Sequence, residues 1–70
     1  MAISLIVVHP VLGTGGRRVT VRGQILGLAN SDRDVVEFLR RAGLPDAEDL
    51  LEDPSWVKWH GGRAHHYEAA

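Results

Sequence analysis

The chain has 70 residues, of which 44% are hydrophobic and 24% charged, and its formal net charge is −1. This composition is typical of a globular domain and argues against a disordered chain or a strongly basic nucleic-acid binder. The chain contains no cysteine, which excludes disulfide bonds and thiolate metal sites.

The length predicts a single domain over residues 1–70, near the lower size limit for folding without disulfides or a metal. The longest apolar run, Leu5–Val8, is far too short to cross a bilayer. A secretory signal has a lysine or arginine before its apolar segment, and no such residue precedes this run. We therefore expect a cytoplasmic protein.

Charge is unevenly distributed along the chain. Residues 1–29 contain three arginines and no acid, whereas residues 30–54 contain eight acids and three arginines. Residues 55–70 contain Lys58, Arg63 and Glu68. Basic strands and acidic helices are expected from this pattern, which either steers a charged partner or holds the two layers together.

The first half of the chain has the patterns of two strands. Ile3 to Val8 is an apolar, β-branched run that predicts a strand buried on both faces or at a subunit contact, and His9-Pro10 should end or bend it. Residues 13–16 predict a turn. Arg18 to Ile25 alternates polar and apolar residues, which predicts one half-buried strand.

The glycines and arginines of residues 13–18 also have the composition of a phosphate-binding loop. Such a loop must open a helix, whose N-terminus completes the anion site. Here Val19-Thr20-Val21 follows, which is typical of a strand. A hairpin turn is therefore the preferred interpretation.

Two helices are predicted next. Ser31 and Asp34 resemble a capping box and open a helix that runs to Ala42, and Gly43 provides a left-handed terminator. A second, short helix is predicted from Pro45 to about Asp53. Its five acidic residues would repel phosphates, which argues against a DNA-reading helix-turn-helix.

The tail predicts a hairpin, because two β-type runs flank Gly61-Gly62. One face of this hairpin would collect aromatic and cationic side chains, which form the predicted binding surface: Trp56, Lys58, His60, Arg63, His65 and Tyr67. Trp59 on the other face would anchor the hairpin to the core. The alternative is the inverse arrangement, with Trp56 in the core and Trp59 exposed. A secondary basic face is predicted at Arg18 and Arg22.

Catalytic and metal chemistry have little support. His60, His65 and His66 could offer imidazoles, but a zinc site needs three or four ligands and only Glu68 lies nearby in sequence. No serine has the context of a nucleophile elbow, and the acids lie on predicted solvated helix faces. We expect no enzyme activity, no metal and no cofactor.

The predicted fold is α+β: a small ββααββ domain with a mostly antiparallel four-stranded sheet and two short helices on one face. The predicted core residues are Leu5, Val7, Val19, Val21, Ile25, Leu28, Val35, Phe38, Leu39, Leu51, Val57 and Trp59. The predicted function is a protein-interaction module that binds through the tail hairpin and an apolar strand edge at Ile3–Val8, where self-association to a homo-oligomer is also expected. The alternative is nucleic-acid binding through the basic and aromatic sheet face. No membrane association is expected, and the sequence does not identify the partner.

Overall fold

The computed structural model describes residues 5–69 and has a small α+β fold with a four-stranded sheet and two helices. Its elements in chain order are β1 (Ile6–Val11), β2 (Arg17–Val21), β3 (Gln24–Ala29), α1 (Asp32–Arg41), α2 (Ala47–Leu51) and β4 (Val57–Trp59). The α+β class and the two helices are confirmed. The order βββααβ only roughly matches the predicted ββααββ. Residues 3 and 4 of the predicted first strand lie outside the described residues.

The sheet is mixed, with the strand order β3-β2-β1-β4. β1 and β2 are antiparallel, as are β2 and β3, but β4 lies parallel to β1. The prediction of a mostly antiparallel sheet is therefore wrong. The reason is that β4 enters the sheet after the two helices, and such a helical crossover allows parallel pairing.

The position of β1 also corrects the predicted association edge. Ile6, Val7 and Val8 are paired with β2 on one side and with β4 on the other. Over these residues the first strand has no unpaired edge to offer to a second molecule.

A two-residue turn divides the region that was predicted as one strand over residues 18–25. Arg22 and Gly23 both have positive φ values, 52° and 82°, as a primed hairpin turn requires. Val21 and Gln24 flank the turn as paired residues. Strict alternation continues through the turn in the sequence and hides it.

Helix α1 begins and ends as predicted. Ser31 has extended backbone angles, and its Oγ accepts the Asp34 amide at 3.3 Å. Gly43 has φ 85°, and the Leu44 amide donates to the Leu39 carbonyl at 3.0 Å. These are the bonds of a Schellman ending, in which a left-handed glycine lets the chain leave the helix.

The helices pack on one face of the sheet, which we call the covered face. Its buried side chains form a single cluster with those of the helices: Ile6, Val8, Val19, Ala29, Val35, Leu39, Ala47, Leu51, Val57 and Tyr67. Val19, Val35, Leu39 and Leu51 were predicted correctly.

The opposite face, which we call the open face, carries Val7, His9, Arg18, Thr20, Ile25, Leu28 and Lys58. Three of these residues, Val7, Ile25 and Leu28, were wrongly predicted as core. In the apolar run of β1 the sequence gives no polar residue to mark the outward side, and the core positions are Ile6 and Val8.

Candidate functional site

Arg17 is the largest fully buried side chain among the described residues, and it organises the tail. It begins β2 on the covered face, opposite Ala29 of β3. Its guanidinium donates to five backbone carbonyls, which we call the Arg17 cage: those of His9, His60, Gly61, Arg63 and His66.

The geometry of the cage uses the whole guanidinium. Nε donates to the His9 carbonyl at 2.7 Å. Nη2 donates to the His60 and Gly61 carbonyls at 2.6 and 2.8 Å. Nη1 donates to two further carbonyls of the tail at 2.8 and 3.1 Å. Five donors thus meet five acceptors, which matches the full donor capacity of arginine.

The buried charge is stabilised by dipoles and an aromatic ring. Among residues 5–69 no carboxylate forms an ion pair with Arg17, but its Cζ lies 5.2 Å from the centre of the Trp59 ring. Burial lowers the pKa of the Arg17 guanidinium, and interaction with Tyr67 acts in the opposite direction. Because a buried charge without partners is costly, the cage must form whenever the domain is folded.

The predicted tail hairpin is wrong. Gly61 and Gly62 do have the expected positive φ, 67° each, but only Val57–Trp59 of this region is a strand. After the glycines the chain crosses the end of the sheet, and the Tyr67 carbonyl accepts the Gly16 amide at 2.8 Å. Carbonyls that a second strand would have paired point instead at Arg17.

The six predicted binding residues are therefore not brought together on one surface. Lys58 is exposed on the open face, and Trp56 is 39% exposed in the turn before β4. His60 is exposed, with its ring centre 6.2 Å from that of His9. Arg63 is exposed and contributes its carbonyl to the cage.

The side chains of the other two predicted residues, His65 and Tyr67, contact Asp32 at the start of α1. Tyr67 is only 7% exposed, and its hydroxyl donates to Asp32 Oδ1 at 2.6 Å. His65 Nδ1 lies 2.7 Å from Asp32 Oδ2, and since a carboxylate can only accept, the imidazole N–H donates. Trp59 packs against both rings: the centre of its ring lies 4.8 Å from the centre of the His65 ring and 6.1 Å from that of Tyr67.

This cluster is built to hold the tail. Burial, followed by the hydrogen bond to the Asp32 carboxylate, raises the pKa of the Tyr67 hydroxyl well above its ordinary value. Each Asp32 oxygen already accepts one hydrogen bond from the tail. The arrangement keeps Tyr67 neutral and anchored, and it leaves Trp59 as the packed tryptophan and Trp56 as the more exposed one.

The open face is the candidate binding surface. Pairing aligns Ile25, Thr20, Val7 and Lys58 in one row across all four strands. Arg18 and Leu28 form a neighbouring pair. Ile25 is 61% exposed and Leu28 is 45% exposed, while the Thr20 hydroxyl in the middle of the row is bonded to His9 Nε2 at 2.9 Å.

A β-bulge in β3 places both large aliphatic side chains on this face. Residues three apart on a regular strand point to opposite faces. Here the register shifts between Val19 and Thr20, so that Leu26 is the extra residue. Ile25 and Leu28 consequently share the open face, whereas Leu26 packs against the core.

The predicted basic face is divided. Arg18 lies on the open face beside Leu28, and Arg22 lies at the β2–β3 turn, where its positive φ is part of the turn. Both side chains are exposed. All nine acidic residues lie on the helices, in the loops beside them or in the tail, so the cations of the open face have no acidic neighbour on their own strands.

Over the described range, no three His, Asp or Glu side chains are grouped closely enough to hold a metal ion. Residues 5–69 also contain no helix long and apolar enough to span a membrane.

Comparisons of the chain with protein-family models, with curated proteins and with solved structures give no match.

Sequence reasoning did not assign Val7, His9, Ile25 and Leu28 to a candidate binding face. The available signal was Gly23, since glycine is favoured at the second central position of a two-residue primed hairpin turn. A turn there would have given three strands before the helices. Gly27, next to the extra residue Leu26, is the local signal of the bulge, since a glycine inside a strand often marks a bulge or a close approach.

Proposed function

We propose that the chain is a small, non-enzymatic protein-interaction module that binds a partly apolar, acidic surface of a partner protein through its open face. The observation that carries this proposal is the sheet that the helices cover on one side only. Its other side leaves Ile25 and Leu28 exposed next to cations.

The chemistry of the open face suits protein recognition. Protein interfaces combine an apolar centre with a polar rim. Ile25 and Leu28 on β3 and Val7 on β1 supply aliphatic surface, while Arg18 lies between them on β2 and Lys58 lies beside Val7 on β4. Arginine and aliphatic groups on a flat sheet can contact a partner without any loop rearrangement.

The separation of charge supports an acidic partner. The strands carry no acid, whereas residues 30–54 carry eight acids against three arginines. An acidic partner would be repelled by the helical layer and attracted to the open face, which favours one docking orientation.

Nucleic-acid binding through the sheet is the second candidate. It draws support from the exposed cations Arg18, Arg22 and Lys58. Base stacking on a sheet requires exposed aromatic rings, but Trp59 and Tyr67 are engaged with Arg17 and Asp32. The exposed large side chains on the strands of the open face are the aliphatic Ile25 and Leu28, and the exposed Trp56 lies outside the strands in the turn before β4, which favours the protein partner.

The test compares two substitutions with the same charge change. Arg18→Glu alters the open face, and Arg33→Glu alters an exposed position of α1. Each chain is immobilised and used to capture proteins from a lysate of the source organism, with quantification by mass spectrometry. We expect a protein that the native chain and the Arg33→Glu control retain equally, and that Arg18→Glu retains about fivefold less or worse, the loss typical of a central interface residue.

The same chains are then titrated with a single-stranded oligonucleotide at increasing salt. Binding that falls steeply with salt and is lost in Arg18→Glu, without any captured protein that responds to this substitution, would establish the nucleic-acid alternative.

A further inference from the structure

We propose that two copies of the chain pair through the unpaired edge of β3, in antiparallel register, to form a continuous eight-stranded sheet. This inference goes beyond the partner surface proposed above, since it concerns the backbone edge of β3 and a second copy as the occupant, and Ile25 and Leu28 of the open face take part in both contacts. It rests on the two edges of the sheet, which differ in length and chemistry.

The β4 edge is short and charged, whereas the β3 edge is longer and uncharged, with the bulge at Leu26 as its one feature that opposes edge pairing. β4 has only three residues and carries Lys58, and short length and lysine are devices that prevent edge pairing. β3 has six residues, Gln24–Ala29, with no charged residue and no proline. Within residues 5–69 it pairs with β2 alone, so its other side is unpaired.

The facing pattern of β3 points to a second copy rather than to an unrelated peptide. Ile25 and Leu28 face outward to the open face. A Cβ on Gly27 would lie 2.8 Å from Phe38 Cζ, so position 27 faces the helices, as does Leu26, which packs against the core. Gln24 and Ala29 are paired with Val21 and Arg17, which also belong to the covered side.

From Gln24 to Ala29, the six side-chain positions of β3 face the covered, open, covered, covered, open and covered side of the sheet. This order is identical in both directions because the bulge adds one covered position at the centre. Residues directly opposite each other in an antiparallel pair point to the same face. A twofold axis between Leu26 and Gly27 therefore matches every position of one β3 with the same face of the other.

In that register Ile25 lies opposite Leu28 of the second copy, and Leu28 lies opposite its Ile25. The two most exposed large aliphatic side chains would thus form two identical contacts related by the twofold axis, as an isologous interface requires. Charge does not oppose the contact, because the nearest open-face cation, Arg18, lies one strand further in. A face-to-face dimer would instead bring Arg18 and Lys58 of both copies together.

Sedimentation equilibrium of the chain alone tests the proposal, between about 10 µM and about 1 mM, the range of weak interfaces. We expect a reversible monomer–dimer equilibrium. Ile25→Lys and Leu28→Glu, each at an exposed position, should weaken the dimer without changing the thermal midpoint of the monomer. The double variant Ile25→Lys/Leu28→Glu should have a dimerisation constant at least about fivefold higher than that of Ile25→Lys. The reason is that the new charges of opposite sign then face each other across the axis.

Hydrogen exchange at the two ends of this concentration range locates the contact. We expect amides of β3 to gain protection at high concentration, while those of β4 do not change. A monomer at every concentration, protection at β4 rather than β3, or no recovery in the combined variant would each overturn the proposal. None of these measurements involves the partner protein or Arg18→Glu, so failure of the dimer is distinguishable from failure of the partner capture.

Discussion

The covered face of the sheet contains a fully buried arginine, whereas the open face leaves two large aliphatic residues in contact with solvent. Arg17 is tolerated inside because five carbonyls and the Trp59 ring surround it. Ile25 and Leu28 stay outside because a bulge turns both away from the helices. The comparison shows that hydrogen-bond partners and strand register, more than residue polarity, determine which side of the sheet these three residues occupy.

Replacing Arg17 should have the largest effect, because it breaks the covered face. Arg17→Leu leaves the five cage carbonyls without their donor, and we expect a loss of about 3 kcal/mol or more in the free energy of unfolding. The free energy of unfolding of Arg17→Lys should lie between those of the native chain and Arg17→Leu, since an ammonium has three donors. Urea denaturation measures these values.

The matched control is Arg18→Leu, one residue away on the exposed open face. It should change the free energy of unfolding by less than about 0.5 kcal/mol. Equal losses for Arg17→Leu and Arg18→Leu would contradict the assignment of the two faces.

Tyr67→Phe removes the second anchor of the tail, the hydrogen bond to Asp32. We expect a loss of about 2 kcal/mol at neutral pH, as is usual for a hydrogen bond to a charged group. The comparison is again made by urea denaturation, at pH values from neutral to alkaline.

The same residue predicts an alkaline loss of stability in the native chain. The folded pKa of Tyr67 is raised, so its contribution is complete below the unfolded value of about 10 and declines as the pH rises above it. In Tyr67→Phe this decline should be smaller. Since the chain has one tyrosine, tyrosinate absorbance in the native chain should appear only as the domain unfolds, and its appearance in the folded protein would contradict a buried Tyr67.

Gly43→Val tests the end of α1, which positions the helices over the covered face. A β-branched residue at φ 85° should destabilise the domain by more than about 1 kcal/mol. Gly13→Ala is the control, because a Cβ there meets no atom within 4 Å and its φ lies outside the left-handed region. An unchanged thermal midpoint for Gly43→Val would mean that the helix ends in another way.

The smallest effects are expected on the open face. Ile25→Thr and Leu28→Gln should each change the free energy of unfolding of the monomer by less than about 0.5 kcal/mol. Val19→Thr, at a fully buried position of the neighbouring strand, should cost more because it buries a hydroxyl. These measurements are made at low concentration, and a larger loss for Ile25→Thr than for Val19→Thr would reverse the two faces.

Features with a local cause could be predicted from the sequence. Ser31, the apolar stripe of α1 and Gly43 act within a few residues of each other, and the helix they define is present almost as predicted. The β1–β2 turn at residues 13–16 was also predictable, since its glycines supply the conformations that a turn needs.

Features that depend on distant residues could not be predicted. Arg17 is 43 to 49 residues from the tail carbonyls that it binds, and a backbone carbonyl leaves no mark in the sequence. Without the cage, Gly61-Gly62 looks like a hairpin turn between two aromatic strands. Gly27 is a local signal of the bulge in β3, but it does not say which residue is extra, and one extra residue changes the face of every residue after it.

The most direct test of the account is an NMR measurement of the arginine side chains in the native chain. Arg17 is one of seven arginines, and it alone among those described is fully buried. We predict one guanidinium with resolved, slowly exchanging Nη protons that show nuclear Overhauser contacts to the backbone of residues 60–66. If the Nη protons of all seven guanidinium groups exchange rapidly and all seven groups rotate rapidly, the Arg17 cage is contradicted. The docking of the tail carbonyls on the covered face is then contradicted as well.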